Sequence, residues 1–299
     1  MRATRRLPPW LKRRLPPAAQ TDRVRAVLAE LNLNTVCREA HCPNRGECYA
    51  AGTATFMILG RECTRNCSFC AVSSGKPEPV DPEEPRRVAE AARRLGLRHV
   101  VVTSVTRDDL PDGGSRQFAE TIRALHEDTA ATVEVLTPDF QGRTEDLLRV
   151  LECGPEVLNH NVETVPRLYP EVRPGADYAR SLGVLTHAAG HPAVPIAKSG
   201  LMLGLGERAE EVRRTLADLL AAGVLAVTIG QYLAPSERHH PVVEFVPPER
   251  FQELEEQALA MGFESALAGP FVRSSYRAAD TAAALLERAG RQDRPQTGG

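Results

Sequence analysis

No apolar run in this chain approaches the roughly 20 consecutive residues of a membrane-spanning helix, so no membrane role is expected. An excess of either charge sign is also missing. The 37 Lys and Arg against 39 Asp and Glu leave a formal charge of -2, without the basic footprint of a nucleic-acid binder. No low-complexity linker interrupts residues 53–270, so nothing divides that stretch into two units. Cysteine is scarce over most of the length: of seven, only Cys153 lies outside the segment from Cys37 to Cys70. Extracellular disulfide scaffolds are usually short and spread their cysteines, so this clustering points to reduced thiolates holding metal in a cytoplasmic protein. What remains, 42% hydrophobic and 25% charged over 299 residues, suits a soluble globular chain of one large or two small domains.

The densest chemistry is Cys63-Thr64-Arg65-Asn66-Cys67-Ser68-Phe69-Cys70, a C-x3-C-x2-C pattern. Three thiolates on a four-iron cube leave the fourth iron free to take a small molecule, whereas structural clusters and zinc sites normally fill all four positions. The same spacing is also three-quarters of a zinc knuckle. No His follows at a zinc-like distance, His99 being far along the chain. Upstream, Cys37-x4-Cys42-x5-Cys48 supplies another three thiols, again without a fourth. Cys153, in ECGPEVL, reads as a buried, inert thiol.

Residues 1–20 are basic and broken by Pro8-Pro9 and Pro16-Pro17, which oppose an amphipathic targeting helix. They predict an extended arm over the body, anchored by Trp10 and Leu11. Val24, Val27, Leu28 and Leu31 predict a helix over 21–36, capped at Thr21 or Asp22. From Cys37 to Cys48 there is no period, and Pro43, Asn44 and Gly46 predict a wrapping loop rather than a helix. Strands are expected over 53–59, 99–104, 132–137, 157–162, 197–203 and 225–233, with a short seventh over 263–268. Helices are expected over 85–95, 115–126, 144–151, 177–189, 207–222 and 248–261. This alternation, with near-continuous apolar strands, means a parallel sheet covered by helices. The fold class is α/β: a partial (β/α)6 TIM-like barrel over 53–270, with an N-terminal extension (1–52), a C-terminal extension (271–299) and a disordered tail after about Ala289.

In such barrels function collects at the C-terminal strand ends. The first strand ends at the Cys63 motif and the second in Thr103-Ser104-Val105-Thr106-Arg107-Asp108-Asp109. The fourth carries Asn159, His160, Asn161 and Glu163, and the fifth begins near Lys198 and ends in Gly204-Leu205-Gly206-Glu207. The sixth ends at Gln231-Tyr232, and Arg273-Ser274-Ser275-Tyr276 follows the last. Polar or glycine-rich ends over apolar bodies predict a polar mouth above a packed core, with Phe56, Met57 and Leu203 as candidates to line an apolar pocket.

The Cys63–Cys70 spacing, with Phe69 before its last Cys, resembles the signature of radical S-adenosylmethionine (SAM) enzymes. Taken with the Cys37 set and RSSY, it resembles the lipoyl synthase family from about Leu7 to Tyr276; NHNVETV, VRPGADY and KSGLMLGLGE look like family segments too. Arg45, Tyr49, Ala197 and His240 depart from the residues common in the family. The resemblance implies two 4Fe-4S clusters, one on Cys63, Cys67 and Cys70, and an auxiliary one on Cys37, Cys42 and Cys48 with Ser275 as fourth ligand. It implies SAM on the open iron, with Ser104, Asn161, Glu163, Arg173, Lys198, Gly204 and Gly206 as candidate contacts; each is equally readable as a cap, a turn or an interior hydrogen bond. The implied reaction inserts two sulfur atoms at C6 and C8 of a protein-bound octanoyl chain, consuming the auxiliary cluster as the sulfur source. The implied partners are octanoylated lipoyl-carrier domains (2-oxoacid dehydrogenase E2 subunits and the glycine cleavage H protein), an electron donor such as flavodoxin or ferredoxin, and an iron–sulfur carrier for cluster rebuilding. Two alternatives stand beside it: another radical SAM sulfurtransferase, biotin synthase-like or methylthio-transferring, and a non-catalytic metal-binding scaffold.

Overall fold

Apolar runs separated by amphipathic segments dictate the architecture. The computed structural model describes residues 7–12 and 17–292. A short helix α1 (Asp22–Glu30) leads into β1 (Asn34–Thr35), followed by two small helices, α2 (Val36–Glu39) and α3 (Arg45–Ala50). Strand and helix then alternate: β2 (Thr55–Ile58), α4 (Glu84–Leu95), β3 (His99–Ser104), α5 (Ser115–Asp128), β4 (Thr132–Leu136), α6 (Thr144–Leu151), β5 (Val157–Asn159). The series continues with α7 (Tyr169–Val172), α8 (Tyr178–Ala189), β6 (Ile196–Leu203), α9 (Ala209–Ala221), β7 (Ala226–Gln231), α10 (Pro248–Met261), β8 (Ser265–Gly269) and α11 (Ala278–Gln292). The sheet order is sequential, β1 to β8. β2 to β8 are parallel, and β1 runs antiparallel along β2. β1 and β8 do not pair, so the barrel stays open on one side.

The helices bury one stripe each. α5 places Phe118, Ile122 and Leu125 at no exposure against the sheet, each contributing about 1.5–3 kcal/mol of apolar burial. α4 ends at Gly96, whose φ of 69° serves as a left-handed cap. The expected seven parallel strands are present, with boundaries moved by at most three residues.

Several expectations are corrected. The first helix ends at Glu30, not at 36: Asn32 (φ 47°) turns the chain, and Asn34–Thr35 add to the sheet edge opposite Phe56 and Met57. The Cys37–Cys48 segment is not a loop throughout, because Thr35 Oγ1 caps α2 by accepting from the Arg38 N–H and α3 forms around Cys48. Leu11 is buried as expected, but Trp10 is one of the exposed large side chains. α11 runs on to Gln292, past the expected start of a disordered tail; the rest of that tail, 293–299, and the basic residues 1–6 and 13–16 lie outside the described residues. Cys153 is half-buried, its thiol donating to the Arg149 carbonyl at 3.3 Å.

The barrel floor is unusually polar in one place. Lys198 Nζ lies 2.8 and 3.0 Å from the two oxygens of Glu134, Asn159 Nδ2 donates to Glu134 at 3.1 Å, and His99 Nε2 stands 3.5 Å away. Burial alone would push Glu134 up, but Lys198 and His99 outweigh it and hold the carboxylate at about 2. α11 packs against the first residues of β5, β6 and β7 through Ala282 and Leu285, and so closes the end opposite the strand tips.

Candidate active site

The Cys63 motif begins four residues after Leu59, which takes a left-handed φ of 69° just past β2. That sharp exit is held on both sides: the Leu59 N–H donates to Glu84 and its carbonyl accepts from Arg107. The motif is then pinned to the neighbouring strand tip. The Thr64 N–H and hydroxyl both donate to the Thr106 carbonyl, at 3.0 and 2.9 Å, and Cys63 Sγ accepts from the N–H groups of Thr106 and Arg65 at 3.3 and 3.4 Å. Arg65 binds Asp108 at 2.7 and 3.0 Å and Asp139 at 2.7 Å. The far end is clamped too: the Ser68 N–H donates to Val172 on α7, the His240 N–H donates to Ser68, and His239 Nε2 pairs with the Cys70 carbonyl at 3.0 Å.

Cys63, Cys67 and Cys70 face a cavity of about 520 Å³ at the C-terminal strand ends. Its apolar wall includes Val36, Met57, Phe69, Leu136, Leu201 and Met202. Its polar wall holds four of the expected contact residues: Ser104, Asn161, Glu163 and Arg173. Ser104 Oγ, Thr137 Oγ1, Asn161 Oδ1 and His160 Nε2 are buried with no partner among the described residues. Four orphaned polar atoms around one concavity are what a polar ligand would satisfy. Burial pushes the Cys67 and Cys70 thiols up, Cys70 to about 12, so metal binding there must expel protons. Burial also raises Glu163 against the pull of Arg173, and together with Arg173 it lowers His160 to about 4, leaving a neutral imidazole. Glu163 sits at a φ of 63°, a backbone position disfavoured for a non-glycine residue.

The second thiol set gathers behind the same wall. Burial raises the Cys37 and Cys48 thiols, Cys48 to about 12, and the nearness of Cys42 adds to both. Ser275 reaches them from the other end of the chain. Its Oγ accepts from Thr55 Oγ1 at 2.9 Å, and Thr55 also stands close enough to Cys37 to oppose, in part, the rise that burial gives its thiol. Two further ties hold the ends together: Asn44 Nδ2 donates to the Phe271 carbonyl at 2.6 Å and the Tyr276 hydroxyl to Glu47 at 3.0 Å. Pro43, Ala40, Arg273 and Ser274, neighbours of these donors, line the 520 Å³ cavity.

Some expected residues fall elsewhere. Lys198 is sealed in the floor with Glu134 and does not line the cavity. Gly204 and Gly206 also stay outside it; with φ of 95° and 106° they make the turn whose N–H groups Glu207 caps. Of the apolar candidates Met57 lines the cavity, whereas Phe56 and Leu203 are plain core. Missing from the expected set are Thr137, Asp139 and His160, all cavity residues. Burial opposes ionisation of Asp139, but Arg65 holds it down at about 2. Applied to the third strand, whose tip is Thr137-Pro138-Asp139, the strand-end rule finds two of them.

An open parallel barrel with three thiols at its mouth defines the class. Residues 57–219 match the family model described as the radical SAM superfamily, and the barrel superposes on solved enzymes of similar fold. Streptococcus suis SuiB, solved with its precursor peptide SuiA, aligns at TM-score 0.56 and 11% identity over 71% of this chain and 48% of SuiB. Methylornithine synthase aligns at TM-score 0.52 and 16% identity over 78% of this chain and 81% of that one. The chain is a radical SAM enzyme. Residues 2–42 match the N-terminal domain of lipoyl synthase. Curated lipoyl synthases of Caldanaerobacter subterraneus subsp. tengcongensis and Geobacter metallireducens are 56% and 55% identical to it, each over 92% of this chain and 96% of theirs. That of Thiobacillus denitrificans is 54% identical over 93% and 90%. The chain belongs to the lipoyl synthase family, sulfur-inserting radical SAM enzymes. This membership sets aside the zinc-knuckle, biotin synthase-like, methylthio-transferring and scaffold readings.

Proposed function

We propose that Cys63, Cys67 and Cys70 hold the radical-generating 4Fe-4S cluster, and that Cys37, Cys42, Cys48 and Ser275 hold the auxiliary one. The carrying observation is Thr55, which donates its hydroxyl to Ser275, 220 residues along the chain, and stands beside Cys37. The donor sets fit the groups: three thiols and an open position at the cavity mouth, three thiols and a hard hydroxyl oxygen behind its wall. When bound, the first cluster and SAM supply the radical that removes hydrogen at C6 and C8 of the octanoyl chain, and the second cluster supplies the sulfur.

The chain's own residues orient and seal. Ser104, Thr137, Asn161 and His160 offer their unpartnered atoms to the polar ligand, and Arg173 stands beside Glu163 to fix charged ends. His160 is neutral, so it accepts or donates a hydrogen bond without adding charge. The apolar wall from Val36 to Met202 suits an alkyl chain and keeps water from a reactive radical. Arg65, bridging Asp108 and Asp139, holds the Cys63 motif against the tips of β3 and β4.

The proposed substrates are octanoylated lipoyl-carrier domains, the E2 subunits and H protein. A flavodoxin- or ferredoxin-type donor would reduce the first cluster, and an iron–sulfur carrier would restore the second. No described helix is long and apolar enough to cross a membrane, and the thiol-rich sites suit a reducing compartment, so we place the protein in the cytoplasm. The reading is tested with anaerobically purified protein, which should be brown and carry about eight iron and eight sulfide per chain. Incubated with an octanoyl-lysine peptide, SAM and reductant, it should shift the peptide by the mass of two sulfur atoms. A peptide left at its starting mass by fully loaded protein overturns the reading.

A further inference from the structure

A second cavity, of about 660 Å³, lies on the other side of the Cys37–Cys48 segment. Cys42 forms part of its wall, as do Tyr49 and four arginines, Arg25, Arg38, Arg45 and Arg61. No carboxylate among the described residues lines it. Arg38 is paired with Glu39 at 2.7 Å, and Arg25 stands 3.7 Å from Asp22. Arg45 and Arg61 make no ion pair or side-chain hydrogen bond among the described residues, and both are exposed. Arg45 belongs to α3, beside Cys48, while Arg61 comes from the turn that delivers Cys63. Pro43 lines both cavities. The segment that carries the second thiol set therefore lies between the two cavities: Val36, Ala40 and His41 line the strand-end one, and Cys42 with Arg45 lines the cationic one.

We propose that the cationic cavity is the port through which Cys37, Cys42 and Cys48 are loaded with a thiolate-ligated, anionic iron–sulfur cluster, separately from the cavity that receives the octanoyl chain. The proposal rests on reading those three cysteines as a cluster site. A four-iron cluster carrying thiolate ligands is a dianion, and a concave wall with uncompensated guanidinium groups concentrates anions and speeds their capture. Loading is ligand exchange without redox change. Each iron–sulfur bond to a small thiolate breaks as one to a Cys forms, and the Cys proton leaves on the released thiol. A consumed site with its own port can be reloaded while the inner cavity still holds an acyl chain.

The test uses the full-length apo-chain and a small thiolate-capped four-iron cluster, with uptake followed by its visible absorbance under anaerobic stopped flow. In a Cys63→Ala, Cys67→Ala, Cys70→Ala background only the Cys37 set takes up cluster. There, Arg45→Glu with Arg61→Glu should slow uptake about tenfold and flatten its salt dependence, with the final loading unchanged. Arg45→Gln with Arg61→Gln should give an intermediate rate, and the double Lys variant a rate near the parent. In the reciprocal background, Cys37→Ala, Cys42→Ala, Cys48→Ala, the same charge reversals should leave uptake at the Cys63 set unaltered. Equal rates for the Glu and Arg forms in the first background, or equal slowing in both, would overturn the port. No uptake by the Cys37 set with both arginines intact would instead remove the cluster reading, and the port with it.

Discussion

The two cysteine sets carry the same three thiols yet are held together in opposite ways. The Cys63 set spans eight residues and is fastened to its immediate surroundings, by Thr64 and Arg65 to the tips of β3 and β4 and by Ser68 to α7. The Cys37 set is fastened by contacts that join the two ends of the chain: Thr55 to Ser275, Asn44 to Phe271 and Glu47 to Tyr276, each more than 200 residues apart in sequence. A local chelate costs little chain entropy to close, while a long loop costs more for every doubling of its length. The first set is therefore held by ties that reach no farther along the chain than His240, and the second needs the segment from Phe271 to Tyr276 as well. On the proposed function, the difference suits a site that keeps its cluster beside one whose cluster is consumed as the sulfur source.

The largest expected effect separates the sets outright. Cys63→Ala should abolish 5′-deoxyadenosine formation while the Cys37 set still binds iron; continued deoxyadenosine release would show that the radical generator lies elsewhere. Ser275→Ala should do the reverse, sparing SAM cleavage and removing sulfur insertion, as read by deoxyadenosine yield against peptide mass. If the peptide gains both sulfurs at the parental rate, Ser275 is not a needed ligand.

Lys198→Met should injure both sets alike, because it strikes the floor beneath them. It strands Glu134 as a buried unpaired charge, costing about 3–5 kcal/mol of stability. The pH dependence should invert. In the parent, Glu134 titrates at about 2 in the fold against 4.5 for an unperturbed glutamate. Its contribution is present above pH 4.5 and is lost as pH falls toward 2. Without Lys198, burial raises the folded pKa, so stability should instead fall as pH rises through it. Denaturation midpoints followed between about pH 3 and 7 distinguish the two slopes, and parallel slopes would show that the pair does not govern acid stability. The smallest effect is expected of Thr55→Val, which removes one hydroxyl and about 1 kcal/mol. It should loosen only the Cys37 set, visible as faster iron release to a chelator there than at the Cys63 set.

The barrel was legible because its periodicity is strong: β3, α6 and α10 fall on the residues that alternation and capping predict. The Cys37–Cys48 segment misled because its Pro, Asn and Gly punctuate single-turn helices as readily as loops, and only Thr35 and the packing of Tyr49 decide the matter. Lys198 misled for another reason. A lysine on a strand reads as a ligand contact, and its partner Glu134 is 64 residues away, invisible to any local pattern. The same holds for Arg65, whose two aspartates arrive on separate strand tips. Gly204 and Gly206 show the converse: both take the positive φ of a tight turn, and a Cβ at Gly204 would also strike Gln231 and the Glu244 carbonyl.

The short step from Ser275 to α11 has a consequence for how the protein is made. The helix that closes the barrel floor begins three residues after Ser275, with Ala278 already buried. On the ribosome the Cys63 set is complete once residue 70 is added. If Ser275 is their fourth ligand, as proposed, the Cys37 thiols wait for it through roughly ten to fifty seconds of synthesis at ordinary elongation rates. During that interval the nascent chain carries three thiols with no fourth donor and a barrel with no floor. Both come together from the segment between Ser275 and α11, so a chain that stops short of it would keep the Cys63 loop yet never complete the proposed ligand set of the Cys37 group.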